Sequence, residues 1–264
     1  MYSDLLTHEL KYTCVKKDIC GKAYLKHVLS NLSEHPAHFA ACPLNNLEKS
    51  PLWILTLNPA LANKHEKNRL EFERGSEYIH GIWYNRNANN FFGSGEDPRQ
   101  KQIVKLIDIL WQHRYSNIYP CRNTFIDSFI FSARVIPFAS KEFTDIDKHK
   151  KCVEFQDVVY EIWRHIIETF SLPPLIIIYS TQAFHTFAGV LCKLYSTKKS
   201  AFHHKATIDV KWGNCNGIKI YQFNQTTIAV FPHFSQYKIL TRKDPDINAF
   251  VCEQIKTHIC HLSQ

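Results

Sequence analysis

In the stretch PLWILTLNPA, Pro51 to Ala60, a run of apolar residues ends at Thr56-Leu57-Asn58-Pro59, which sets an amide side chain directly before a proline at an expected strand end. An asparagine fixed there can accept a hydrogen bond from water through its amide oxygen and hold that water against a reacting carbon. It is not a base of useful strength. It therefore suits a reaction whose transition state is already electron-poor, such as cleavage of a glycosidic bond through an oxocarbenium-like state. Pro59 stiffens the turn, because its ring fixes one backbone torsion. The plain alternative is an Asn-Pro turn without chemistry.

Three further stretches carry residue types that complement such a step. In FPHFSQYK, His233 can donate to an oxygen developing negative charge on a departing group, and Ser235 with neighbouring backbone amides can hold a phosphate. In YSTQAF, Ser180 and Thr181 stand where the amino terminus of a helix would present free amides to a phosphate oxygen, and either residue could equally be an ordinary helix cap. In NNFFGSGE, Phe91 and Phe92 lie beside flexible glycines as a stacking platform for a base, or as core aromatics.

The elements that must position these residues are read from periodicity and breakers. Residues 1–30 suit helix, and Leu52 to Leu57 reads as a short buried strand. Residues 63–99 turn polar, with NRNANNFFGSGEDP the densest turn chemistry in the chain. Ile103, Leu106, Ile107 and Leu110 mark one helix face, TFIDSFIFSARVIPFA reads as a second central strand, and residues 150–170 form an amphipathic helix. PPLIIIYS is a third buried strand, followed by a helix over TQAFHTFAGVLCKLY. ATIDVKWGNCNGIKIYQF suggests a hairpin, TTIAVFP a fourth buried strand, and an Asp-Pro-Asp start signal opens a closing helix over 246–262.

Near-continuously apolar strands separated by helices predict an α/β chain: a three-layer α/β/α domain around a mostly parallel sheet. The expected organisation is one domain over 1–264, with a core at about 52–240 and a helical extension over 1–50. In such sheets ligands bind beyond the carboxyl ends of the strands, and the polar residues Asn58, Ser132, Ser180 and His233 fall at four expected ends.

Composition narrows the chemistry. There are 32 basic and 24 acidic residues, a net charge of +8, which favours phosphate-rich partners such as nucleic acid. Nine cysteines are scattered and never form a C-x-x-C pair, which argues against a zinc ribbon or a local iron-sulfur site and for reduced thiols in a cytoplasmic protein. Glycine is scarce at 8 residues, and neither G-x-G-x-x-G nor G-x-x-x-x-G-K-[ST] occurs, so a nucleotide cofactor would lack its phosphate cradle. The expectation is no cofactor and no metal. No stretch reads as a signal peptide or a membrane span, so no membrane partner is expected.

Taken together and in this order, the motifs resemble the uracil-DNA glycosylase superfamily. Its G-x-[DN]-P motif is similar to LTLNPA, with Thr56 where the family has glycine and with the asparagine form of the mismatch-specific and thymine branch. Its H-P-S motif is similar to PHFS, with Phe234 in place of the proline. PPLIIIYSTQAF resembles the family's third strand and phosphate-binding turn, and NANNFF its segment bearing the base-stacking aromatic. The resemblance covers roughly residues 52–240.

The resemblance implies a monofunctional DNA glycosylase, probing DNA as a monomer and turning a nucleotide out of the stack into its pocket. Asn58 would position the attacking water and His233 would stabilise the departing base. Phe91 or Phe92 would stack on that base, with Pro59 and Ser132 completing its pocket, while Ser180, Thr181 and Ser235 would hold phosphates. Ser132 stands where uracil-removing members keep an amide, which suits a larger base. Some members act in bacterial immunity by removing glucosylated hydroxymethylcytosine from phage DNA, and that base is the preferred expectation. Repair of uracil or mismatches, and a catalytically inactive DNA-binding module on the same fold, are the alternatives.

Overall fold

The computed structural model describes residues 44–57, 98–136, 153–210, 215–233, 239–240 and 243–260. The helix expected over residues 1–30 and the polar stretch up to Asp97 lie outside them.

Six strands form one sheet: β1 (Leu52–Thr56), β2 (Ile130–Arg134), β3 (Leu175–Tyr179), β4 (His203–Ile208), β5 (Ile218–Phe223) and β6 (Thr226–Phe231), in the order β2-β1-β3-β6-β5-β4. β2, β1, β3 and β6 are parallel neighbours, and the β4-β5-β6 run is antiparallel. The helices are α1 (Pro98–Leu110), α2 (Arg122–Phe129), α3 (Val153–Phe170), α4 (Thr181–Leu194) and α5 (Pro245–Ile255). Wider π turns prolong α1 through Trp111–Tyr115 and α5 through Lys256–Cys260.

Alternation along the strands builds two cores. Trp53, Leu55, Ile176, Ile178, Ile228 and Val230 face α3 and α4, where they meet Trp163, Ile166, Phe184 and Phe187. Leu52, Ile54, Leu175, Ile177, Ala229 and Phe231 face α1, α2 and α5, and meet Leu106, Phe125 and Val251. All five residues of β3 are buried, and burial of an isoleucine or leucine side chain contributes about 1.5–3 kcal/mol. The chain is thus an α/β protein with a six-stranded, mostly parallel central sheet and helices on both faces, compatible with a three-layer α/β/α fold.

Two expectations change. TFIDSFIFSARVIPFA was expected as one central strand, whereas residues 122–129 are helical and only Ile130–Arg134 extend. Phe125, Ile126 and Phe129 have the i, i+1, i+4 spacing of one helix side, and Phe125 stacks on Tyr115 at 4.8 Å while Phe129 packs on Tyr119 at 4.2 Å. Burial of that aromatic group overrides the strand propensity of the residue types. β2 is also the end of the strand order rather than its centre.

The β4-β5 hairpin expected from the sequence is present. Gly217 has φ +72°, and a Cβ there would lie 2.3 Å from the Ile208 carbonyl oxygen, so only glycine lets the two backbones approach this closely. The amino ends of β1 and β2 are tied by two buried polar residues. Asn46 donates from Nδ2 to the Ile130 carbonyl at 2.9 Å, and Ser50 Oγ accepts from the Phe131 N–H at 3.0 Å.

Candidate functional site

The parallel strands deliver their carboxyl ends to one edge of the sheet. Leu55, Ile178 and Val230 are paired in register across β1, β3 and β6. The chain reversal lies between β1 and β3, since β1 leads by way of α1 and α2 to β2 on one side while β3 leads by way of α4 to the other. A reversal of this kind opens a crevice beyond the strand ends.

Each end is fixed by a specific contact. At the end of β1 the Thr56 and Leu57 carbonyls accept from the Val135 and Ile136 N–H groups, both at 2.8 Å, so the β1-β2 ladder outlasts both strands. Trp163 of α3 then donates its indole N–H to the Val135 carbonyl at 2.9 Å, holding the segment after β2 against the helix layer. At the end of β3 the Ser180 N–H donates to the Phe231 carbonyl at 2.9 Å. Beyond β6, the buried Gln102 of α1 accepts from the Leu240 N–H at 3.0 Å, which returns the chain after His233 to the core.

Ser180 combines three roles in one residue. Its N–H continues the β3-β6 ladder, its Oγ accepts from the Ala183 N–H at 3.1 Å as the cap of α4, and its backbone sits at φ +97°, ψ +140°. That conformation is one that glycine usually occupies, and it costs a side-chain-bearing residue on the order of 1–3 kcal/mol. The first turn of α4 contains no acidic residue, so the positive end of its dipole lies at this edge of the sheet without a fixed negative charge in that turn. Thr181, the first helical residue, is exposed. Beneath this turn, burial pushes the Tyr179 phenol far above its ordinary value, so it is a neutral group at all working pH values, and its ring meets Phe231 edge-on at 6.0 Å.

His233, two residues past β6, is exposed at the same edge. Ser132 is not at a strand end. It is buried in the middle of β2, in register with Ile54, two residues before Arg134. Asn58, Pro59, Phe91, Phe92 and Ser235 lie outside the described residues; Asn58 directly follows Leu57 in the chain. The structure therefore brings together Leu57, Ser180, Thr181 and His233 and holds Ser132 deeper in the sheet.

Two residues went unnoticed in the sequence. Arg134 closes β2 in register with Thr56 and, among the described residues, is the lysine or arginine that ends a parallel strand at this edge. Its signal was a cation terminating an apolar run. Gln102 falls with Leu106 and Ile109 at i, i+4 and i+7, so it was legible as a polar residue in an apolar stripe.

Among the described residues no group of three or more His, Cys, Asp and Glu side chains is placed to hold a metal ion, and no helix is long and apolar enough to cross a membrane. No family model and no curated protein sequence matches the chain.

Proposed function

We propose that the chain is a monofunctional DNA glycosylase on a uracil-DNA glycosylase-like fold, acting on a flipped and modified base. The observation that carries this reading is the side-by-side order β1-β3-β6, which sends the segments leading to Asn58, Ser180 and His233 to one edge of the sheet. Asn58 holds a water molecule against the sugar anomeric carbon. As the bond from that carbon to the base nitrogen breaks, the water oxygen bonds to the carbon, its proton is lost to solvent, and the electron pair leaves with the base. His233 donates to the base as its charge develops. The α4 amino terminus, with Ser180 and Thr181, holds a phosphate and offsets the few kcal/mol that extrusion of a nucleotide costs. Glucosylated 5-hydroxymethylcytosine is the preferred base ahead of uracil, because Thr56 and Phe234 replace the glycine and the proline of the motifs that uracil-removing members carry.

The test is incubation of the full chain with DNAs carrying different modified bases, with abasic sites scored by alkaline cleavage. Asn58→Ala and His233→Ala should each slow release by about 100-fold or more while DNA binding persists. Full release by both variants on an identified substrate would remove their assigned roles. Salt-sensitive binding with no abasic product on any DNA would leave a binding module in place of an enzyme.

A further inference from the structure

The net charge is not spread along the chain. Residues 169–243 hold nine lysines and arginines against one carboxylate, Asp209, and the remaining sequence holds 23 basic and 23 acidic residues. This one segment, which folds as β3, α4, β4, β5 and β6, therefore carries the whole excess of +8.

Three of its six described lysines stand at the edge of the sheet, beside two histidines. Lys198 and Lys199 lie in the turn leading to β4, and His203, His204 and Lys205 form the first half of that strand; all five are exposed. No residue between Glu168 and Asp209 is acidic, and among the described residues Lys198, Lys199 and Lys205 make no salt bridge. β4 is the last strand of the sheet order. Through Gln222 of β5, His203 lines up with Thr227 at the amino end of β6. Strand spacings put the cluster about 10 Å across and about 13 Å along from the carboxyl end of β6, at the far end of the strands from His233.

We propose that the β4 edge is a docking surface for the phosphate backbone of a nucleic acid, separate from the crevice at the carboxyl ends. A cluster of cations without carboxylate partners gains most from a polymer of closely spaced charges, because each phosphate neutralised releases a counterion. An anionic membrane would call for apolar side chains inserted beside the cations. Among the described residues Tyr195, three residues before Lys198 and packed edge-on against Phe223 of β5 at 5.4 Å, is exposed, and its aromatic face and polar tip suit stacking on a base. The proposal stands on charge and placement alone and does not rest on base removal.

The test uses the full chain and a fluorescein-labelled duplex of arbitrary sequence, followed by anisotropy across a salt series. Replacing Lys198, Lys199 and Lys205 together by alanine should weaken binding at 0.1 M salt about tenfold or more and reduce the slope of log Kd against log salt by about 2 to 3. Lys49→Ala with Lys256→Ala, drawn from the charge-balanced remainder, should change that slope by less than about 1. No binding by the unaltered chain, an unchanged slope in the triple variant, or an equal loss in the control pair would each overturn the proposal. So would tighter capture by phosphatidylserine vesicles that the triple variant loses. Scoring base release in the same samples keeps the two readings apart: a chain that releases no base but shows the slope change retains this surface, and one that releases base without it loses this surface alone.

Discussion

The amino termini of α4 and α5 solve the same physical problem in opposite ways. Both leave backbone N–H groups without helical partners and both recruit an oxygen from the preceding residue. At α5, Asp244 sits at an unstrained φ of −80°, its Oδ1 accepts from the Asp246 and Ile247 N–H groups at 3.0 and 3.1 Å, and Pro245 occupies the first turn. Two carboxylates thus lie against the positive end of that dipole, which is stabilising and leaves little attraction for an outside anion. At α4 the cap is the neutral Ser180, held at φ +97° with one capping bond and no acid in the first turn. The first terminus is arranged for stability. The second accepts strain and carries no acid in its first turn, at the edge where the ends of β1, β3 and β6 lie. Strain of this kind persists only where surrounding contacts enforce it, here the bond from the Ser180 N–H to Phe231.

The sharpest way to break this contrast is to give α4 the charge that α5 already has. Aspartate caps helices as well as serine, so Ser180→Asp should leave the melting temperature within about 2 °C of the parent, in line with their near-equal ranking at this position. DNA affinity should nevertheless fall about tenfold or more, because a carboxylate now fills the anion position. The reciprocal change, Asp244→Ser, should leave affinity untouched. Equal affinity in Ser180→Asp and the parent would mean that the α4 terminus meets no phosphate.

How much of this was legible beforehand differs by element. β3 and α4 were plain in PPLIIIYSTQAF, because a strand buried on both faces shows no alternation and the Ser-Thr pair marks the helix start. The Asp-Pro-Asp signal placed the start of α5 within a residue. The turn from α2 into β2 was not legible, since TFIDSFIF has strand-like residue types and only the aromatic contacts with Tyr115 and Tyr119 show which period wins. Ser132 was separately expected at a strand end, although the β1-β2 pairing runs on past Arg134 to Ile136. The roles of Asn46, Ser50 and Gln102 were not legible, because carbonyl and N–H partners of these side chains lie 84, 79 and 138 residues away. Parallel pairing is non-local, so the order that sets β3 between β1 and β6 could be anticipated as a class but not as a register.

A smaller effect should mark α5 as the structural member of the pair. Asp244→Ala removes the oxygen that serves two N–H groups and the charge that faces the dipole, and should cost about 1 kcal/mol, or about 2–4 °C in melting temperature for a chain of this size. Nucleic-acid affinity measured beside it should not move. A loss of affinity matching that of Ser180→Asp would erase the distinction between the two termini.

The smallest expected change is the one that reads strain directly. Ser180→Gly gives up the capping oxygen, which costs a few tenths of a kcal/mol, and adds freedom to the unfolded chain worth about 0.4–1 kcal/mol. Against these stands relief of a conformation that costs serine on the order of 1–3 kcal/mol. The balance favours a variant about 0.5 kcal/mol more stable than the parent in urea unfolding, with weaker DNA binding because the hydroxyl is gone. A glycine variant less stable than the parent would show that Ser180 holds its position without strain, and α4 would then differ from α5 in charge alone.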